Sequence, residues 1–294
     1  HIEIYPYAVH SAMPSNIDLL YTMPLSFAGT GSVRLMHMLF YAGVGLWVYS
    51  LGKRLFNRNA ALFGAVLWCT IPGVCQMAGL GAVDMGVIYF AFGAMSLLLK
   101  WAFDGKKNSL ISPAKNSPKI CKRLIVSAIL LGLAVGSKYT SLMVGAVCAV
   151  GVMLGAWKRR SDLNFRGALM AVAIYGAISI VVASPWYIRT WVVMGDPFYP
   201  AFSEIGSPGF SVLNNLRRDS VPLYPLSQTF GKLPLDLWRL ERPFGWGAEL
   251  GLGVVAFIPA LIFGFWRRGP ASWMSFGVLA IYVMWSQTIL IARY

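Results

Sequence analysis

Residues 124–157 read LIVSAILLGLAVGSKYTSLMVGAVCAVGVMLGAW, and this stretch decides the fold. It carries one charge, Lys138, in an otherwise apolar run. A helix rises about 1.5 Å per residue and a bilayer core is about 30 Å thick. The run is therefore too long for one crossing and short for two, and it reads as a tight helical hairpin turning at Gly136–Ser137–Lys138. Working outward, further long apolar runs lie at Val33–Leu51, Ala60–Leu80, Val83–Leu99, Gly167–Ile188, Leu250–Trp266 and Ala271–Ala292. With Leu124–Ser137 and Tyr139–Trp157 they predict about eight spans. Apolar residues make up 57% and charged residues 12% of the chain, with a mean hydropathy of +0.62. Soluble domains carry about 25% charged residues, so the fold class is an all-α, polytopic transmembrane bundle.

The net charge of +14 invites a nucleic-acid reading, but its distribution argues against one. Successive connections alternate between the two sides of the membrane. One set holds Lys53, Arg54 and Arg58, then the cations from Lys100 to Arg123, then Lys158, Arg159, Arg160 and Arg166, then Arg267 and Arg268. The acids in that set are Asp104 and Asp162, and the opposite side balances to zero, so one side carries the whole +14 excess. That is the positive-inside pattern of cytoplasmic loops. A nucleic-acid surface needs a continuous basic patch with interleaved aromatics, which these short loops do not supply.

The reading that follows is a multi-pass plasma (inner) membrane protein of the cell envelope, with both ends of the chain extracytoplasmic. Residues 1–32 form an outer loop segment, in which Asn16–Phe27 suggests an amphipathic helix with Ile17, Leu20, Tyr21 and Pro24 toward lipid. Residues 33–188 hold six spans, 189–249 a second outer loop rich in Pro and aromatics that caps the bundle, and 250–292 two more spans. An outer start without Met or signal needs something before it to translocate it, so 1–294 reads as a single module truncated at both ends.

Several motif matches fail. Gly132-x-x-x-Gly136-Ser137-Lys138 has the wrong spacing for a phosphate loop and Tyr139 where Ser or Thr is needed; it fits a small-xxx-small packing face better. His1, His10 and His37 are dispersed, with no metal-ligand spacing. What stands out is a group of charges at outer helix ends: Arg34, Asp84, Lys138, Arg189 and Arg293. Ionisable groups near membrane depth are costly and mark function by default, although near the interface they also serve as anchors. Lys138, Arg189 and Arg293 lie at one depth, suited to an anionic lipid phosphate.

These residues also carry a resemblance. Gly132-Leu-Ala-Val-Gly-Ser-Lys-Tyr-Thr140, Pro185-Trp-Tyr-Ile-Arg189, Gly195-Asp-Pro-Phe-Tyr-Pro200, Tyr5-Pro6, Met13 to Tyr21, Arg34-Leu-Met-His37, Asp84-Met85 and Arg293-Tyr294 together resemble the GT-C superfamily of multispanning glycosyltransferases. The likeness is to protein O-mannosyltransferases and lipid A aminoarabinose transferases, and it covers nearly the whole chain. It implies inverting transfer of a sugar from a polyprenyl-phosphate donor to an acceptor on the extracytoplasmic face. In that picture Lys138, Arg189 and Arg293 hold the donor phosphate, while Tyr139, His10 and Asp84 line the site. The family's base is an acidic pair early in the first outer loop. No such pair occurs here, which places the base upstream of His1, with Glu3 and Asp18 as the in-chain candidates. The donor is itself the lipid-linked sugar; the residues demand no cofactor and leave divalent-metal assistance open. The expected partners are membrane lipid and the lipid-linked sugar. The rival readings are a transporter or flippase of a lipid-linked or anionic substrate, which would use the same cations without a base, and a noncatalytic membrane scaffold.

Overall fold

The computed structural model describes residues 9–103, 122–158, 165–199, 231, 261–266 and 269–287. Among the described residues there is no strand. A short 3-10 helix, Val9–Ala12, leads into α1 (Asn16–Leu55), α2 (Arg58–Thr70), α3 (Pro72–Leu80), α4 (Asp84–Phe103), α5 (Lys122–Val135), α6 (Ser141–Lys158) and α7 (Phe165–Met194), with α8 at Pro270–Gln287. The expected all-α membrane bundle is the architecture observed.

Local chemistry sets the breaks. Helix α1 is interrupted at Ala28 and Gly29, the latter at φ 69°, where glycine meets no steric penalty. This separates the arm Asn16–Phe27 from the crossing that follows. At Ile71 the chain turns extended (φ −67°, ψ 117°), because Pro72 disfavours helical backbone before it. The single span expected at Ala60–Leu80 is therefore a pair, α2 and α3, bent by 61°. Asn57 caps the start of α2 by accepting from the Ala60 N–H at 2.8 Å.

Among the described residues three helices are long and apolar enough to cross a membrane: α1, α4 and the Leu169–Met194 portion of α7; the bent pair adds a fourth if its two helices make one span. The expected count of eight is not reached among the described residues. At 14 residues α5 rises only about 21 Å, and the apolar parts of α6 and α8 are also short. The expected span Leu250–Trp266 lies largely outside the described residues, as do most of the 103–122 linker and the 189–249 loop.

The hairpin turns where expected. Helix α5 ends at Val135, the N–H groups of Ser137 and Lys138 both donate to Ala134 O, and α6 begins at Ser141. The outer surface is apolar, with Leu46, Phe63, Val181 and Val192 all strongly exposed, as a lipid-facing wall requires. Inside, small residues and hydroxyls join the helices, as in other membrane bundles. The Ser127 hydroxyl donates to Ala94 O at 2.7 Å, and Ser179 to Ala128 O at 3.0 Å. A Cβ on Gly132 would lie 2.7 Å from Ser179 O and 2.6 Å from Val182 Cβ. Gly132 thus brings α5 against α7, as its small-residue spacing suggests. Gly136 instead faces Asn16, whose side-chain nitrogen occupies the space a Cβ would need.

Two hydrogen-bonded clusters define the ends of the bundle. At one, Lys100 donates to Ser50 Oγ at 2.7 Å and sits over the Trp47 ring, tying the ends of α4 and α1. At the other lie the α1 start, the α3–α4 turn, the α5–α6 turn and the end of α7. Those four segments carry the candidate site.

Candidate active site

Asn16 is the hub on which the site is built. Its backbone N–H donates to Gly136 O at 3.0 Å, its side-chain amide donates to Leu133 O at 3.2 Å, and its Oδ1 accepts from Trp186 Nε1 at 2.6 Å. One residue so joins α1, the hairpin and α7. The neighbouring segment is fixed the same way: the Thr190 hydroxyl donates to Ala12 O at 2.8 Å, and Arg189 Nη2 to Ser11 O at 3.0 Å. The Tyr187 hydroxyl donates to Val135 O at 3.1 Å. Because membrane interiors supply little water, each of these backbone carbonyls needs a protein donor.

Ile17 and Tyr21 extend this docking toward α4. A Cβ on Gly86 would collide with Ile17, so glycine there lets the first turns of α1 and α4 meet. Ile17 and Tyr21 are buried with Val87, Phe90 and Ala134, whereas Leu20 is exposed. The expected lipid-facing side of Asn16–Phe27 is thus corrected: the helix forms, but Ile17 and Tyr21 face the bundle, since an apolar stripe does not say whether lipid or protein meets it.

Among the sequence candidates, Lys138 and Asp84 are brought into direct contact. Lys138 Nζ donates to Asp84 Oδ1 at 2.8 Å, with 19% and 32% of the two side chains accessible. The accessibility matters because an anion can still reach the ammonium. Asp84 opens α4, where its charge complements the helix dipole. Tyr139 is buried; its hydroxyl donates to Tyr199 O at 2.8 Å and its ring meets Tyr187 edge-on at 5.8 Å. Burial pushes its phenol up, so it stays a hydrogen-bond donor at neutral pH.

Arg189 is placed at the same end but not against Lys138. Its guanidinium lies over the Trp186 ring at 5.6 Å, and its Nη1 is buried with no acceptor among the described residues. A buried charged donor without a partner is unfavourable by about 1–3 kcal/mol or more. Asp18, in the first turn of α1, keeps an open face, yet neighbouring protein removes enough water to raise its carboxyl above the ordinary 3.8, while the Ser15 hydroxyl acts in the opposite sense. Arg34 is exposed, with its stem beside Gly81. His10 lies in the 3-10 helix Val9–Ala12 with its side chain outside the described residues; Glu3 and Arg293 lie outside them altogether.

Sequence reasoning did not single out Asn16, Thr190 or the Tyr21–His37 pair, in which Tyr21 Oη and His37 Nδ1 are 2.5 Å apart. His37 is fully buried in the membrane bundle, which only its rarity among apolar neighbours could have signalled.

The apolar helices thus gather Lys138, Arg189, Asp18, Asp84 and several tyrosines at one end of the bundle. Residues 20–188, more than half of the chain, match the dolichyl-phosphate-mannose-protein mannosyltransferase family. The chain belongs to this family, a group of membrane glycosyltransferases that draw on polyprenyl-phosphate-linked sugars, in keeping with the GT-C resemblance of its motifs. No curated protein and no solved structure matches the chain.

Proposed function

We propose that the protein transfers a sugar from a polyprenyl-phosphate donor to an acceptor on the extracytoplasmic face of the plasma membrane. The observation that carries this reading is the buried Nη1 of Arg189, without an acceptor among the described residues, at the same bundle end as Lys138. Lys138 and Arg189 bind the donor phosphate, with Arg293 assisting; Tyr139, His10 and Asp84 line the site. The sidedness rests on the one-sided excess of Lys and Arg in alternate loops. Residues 1–294 belong to a single transferase module.

The reaction is a single displacement. The acceptor hydroxyl oxygen bonds to the anomeric carbon as the bond from that carbon to the phosphate oxygen breaks. The bonding pair leaves with the polyprenyl phosphate, whose added negative charge the two cations stabilise. The hydroxyl proton passes to a carboxylate. Asp18 is the in-chain candidate described at this end, and its raised affinity for a proton suits that task; Glu3 is the other. Attack opposite the departing phosphate inverts the anomeric centre. A carrier of lipid-linked anions would use the same cations, but membership of a transferase family favours transfer.

The test is transfer of labelled mannose from polyprenyl-phosphate-mannose by membranes containing the protein. Lys138→Gln and Arg189→Gln should each reduce transfer by tenfold or more, with inverted configuration in the product of the unmodified protein. Undiminished transfer in both variants would overturn the assignment.

A further inference from the structure

The Asp84–Lys138 pair is reached by a second set of polar contacts that runs through the buried core. The Tyr21 hydroxyl lies 2.5 Å from His37 Nδ1 and 3.1 Å from Ala82 O. A hydroxyl has one proton, and a backbone carbonyl only accepts. Both contacts are hydrogen bonds only if Tyr21 donates to Ala82 O and His37 donates from a protonated Nδ1. The arrangement therefore calls for a proton on His37 Nδ1, with the direction His37 N–H to Tyr21 oxygen, then Tyr21 O–H to Ala82 carbonyl.

Ala82 stands two residues before Asp84, in the turn between Gly81, at φ 71°, and the first turn of α4. That turn is also held by the Val87 N–H, which bonds back to Val83 O at 3.1 Å, by Ile17 packing on Gly86 and by the buried Met85, while Tyr21 fixes its Ala82 carbonyl. The placement of the Asp84 carboxylate, and through it of the Lys138 ammonium, thus depends on where Tyr21 holds the Ala82 carbonyl. We propose that His37 and Tyr21 are positioning residues for the donor phosphate, setting the Asp84–Lys138 pair through the Ala82 carbonyl. This deepens the donor-phosphate reading and rests on it.

The full-length protein in nanodiscs, with undecaprenyl phosphate as probe, tests the relay. Tyr21→Phe removes the hydroxyl alone and should weaken binding about fivefold to tenfold, the range expected for one lost hydrogen bond. Combined with Lys138→Gln it should add no further loss, because both act through one ammonium. His37→Asn, whose side-chain N–H falls near that of Nδ1, should bind like the unmodified protein, while His37→Leu should bind as weakly as Tyr21→Phe. A role in packing alone would not distinguish Asn from Leu in this way. Nitrogen NMR of the labelled, unmodified protein should show His37 neutral with its proton on Nδ1; a proton on Nε2 overturns the relay without any variant having to fold. Wild-type affinity in Tyr21→Phe beside weak binding in Lys138→Gln overturns the relay and leaves the donor site standing. Wild-type affinity in Lys138→Gln overturns both.

Discussion

Lys138 in the α5–α6 turn donates to Asp84, the first residue of α4, at 2.8 Å across the end of the bundle. The pair joins two elements that are distant in sequence, and it keeps a cation at the membrane surface without burying it. A partly exposed ion pair of this kind contributes on the order of 1 kcal/mol to stability. Its weight in the molecule therefore lies in where it holds the ammonium. Asp84→Asn should leave thermal stability within about 1 kcal/mol of the unmodified protein. It should also bind undecaprenyl phosphate more weakly, to about the extent of Tyr21→Phe, since the carboxylate sets the position of the Lys138 ammonium. Affinity equal to or tighter than that of the unmodified protein would show instead that the carboxylate competes with phosphate for Lys138.

Asn16 satisfies three partners at once, and Asn16→Ala deprives Trp186 Nε1 of its acceptor, while Leu133 O keeps the Ser137 hydroxyl. Buried polar groups left unpaired are destabilising by about 1–3 kcal/mol. A fall in melting temperature of several degrees in detergent is expected, with new protease cleavage near Ala12–Ser15 as the segment lifts. Unchanged melting and cleavage would show that other contacts hold the segment.

Gly132→Val should destabilise the bundle by about 1–3 kcal/mol, because the added atoms meet the Ser179 carbonyl and Val182 across the α5–α7 contact. Gly145→Ala is the control: nothing lies within 4 Å of its added carbon, and a mid-helix alanine is favoured over glycine. The two melting temperatures should move in opposite directions.

The hairpin was legible because Gly136–Ser137–Lys138 interrupts an apolar run whose length fits no single crossing. The α2–α3 bend had its signal in Pro72, but hydropathy runs on through it and favours one span. The break at Ala28–Gly29 was hidden because it lies in small and apolar residues. Asn16 could not be found from sequence: its partners are a backbone carbonyl 117 residues away and an indole 170 residues away. Charges at helix ends were visible as candidates, and the fold brings Lys138 onto Asp84 while sending Arg189 toward Ser11. Spacing along a chain gives the depth of a side chain in the membrane, whereas the direction in which it points depends on packing.

A pH profile tests Asp18 as the base. Burial holds its folded-state carboxyl above the ordinary 3.8, so ionisation works against the fold, and stability falls as pH rises through the raised value. Catalysis needs the ionised form, so transfer should rise with pH through that same value, higher than for an ordinary carboxyl. Asp18→Asn should abolish this acid limb and most transfer, while raising the melting temperature at neutral pH. An intact limb at full rate would remove Asp18 from the chemistry.

The most direct measurement is the affinity of undecaprenyl phosphate for the purified full-length protein, compared with Lys138→Gln and Arg189→Gln. Removal of either charge-assisted contact should weaken binding by about tenfold or more. Dolichol or undecaprenol, which lack the phosphate, should bind all three proteins alike. Equal affinity for the phosphate in all three would contradict a donor site built on these two cations.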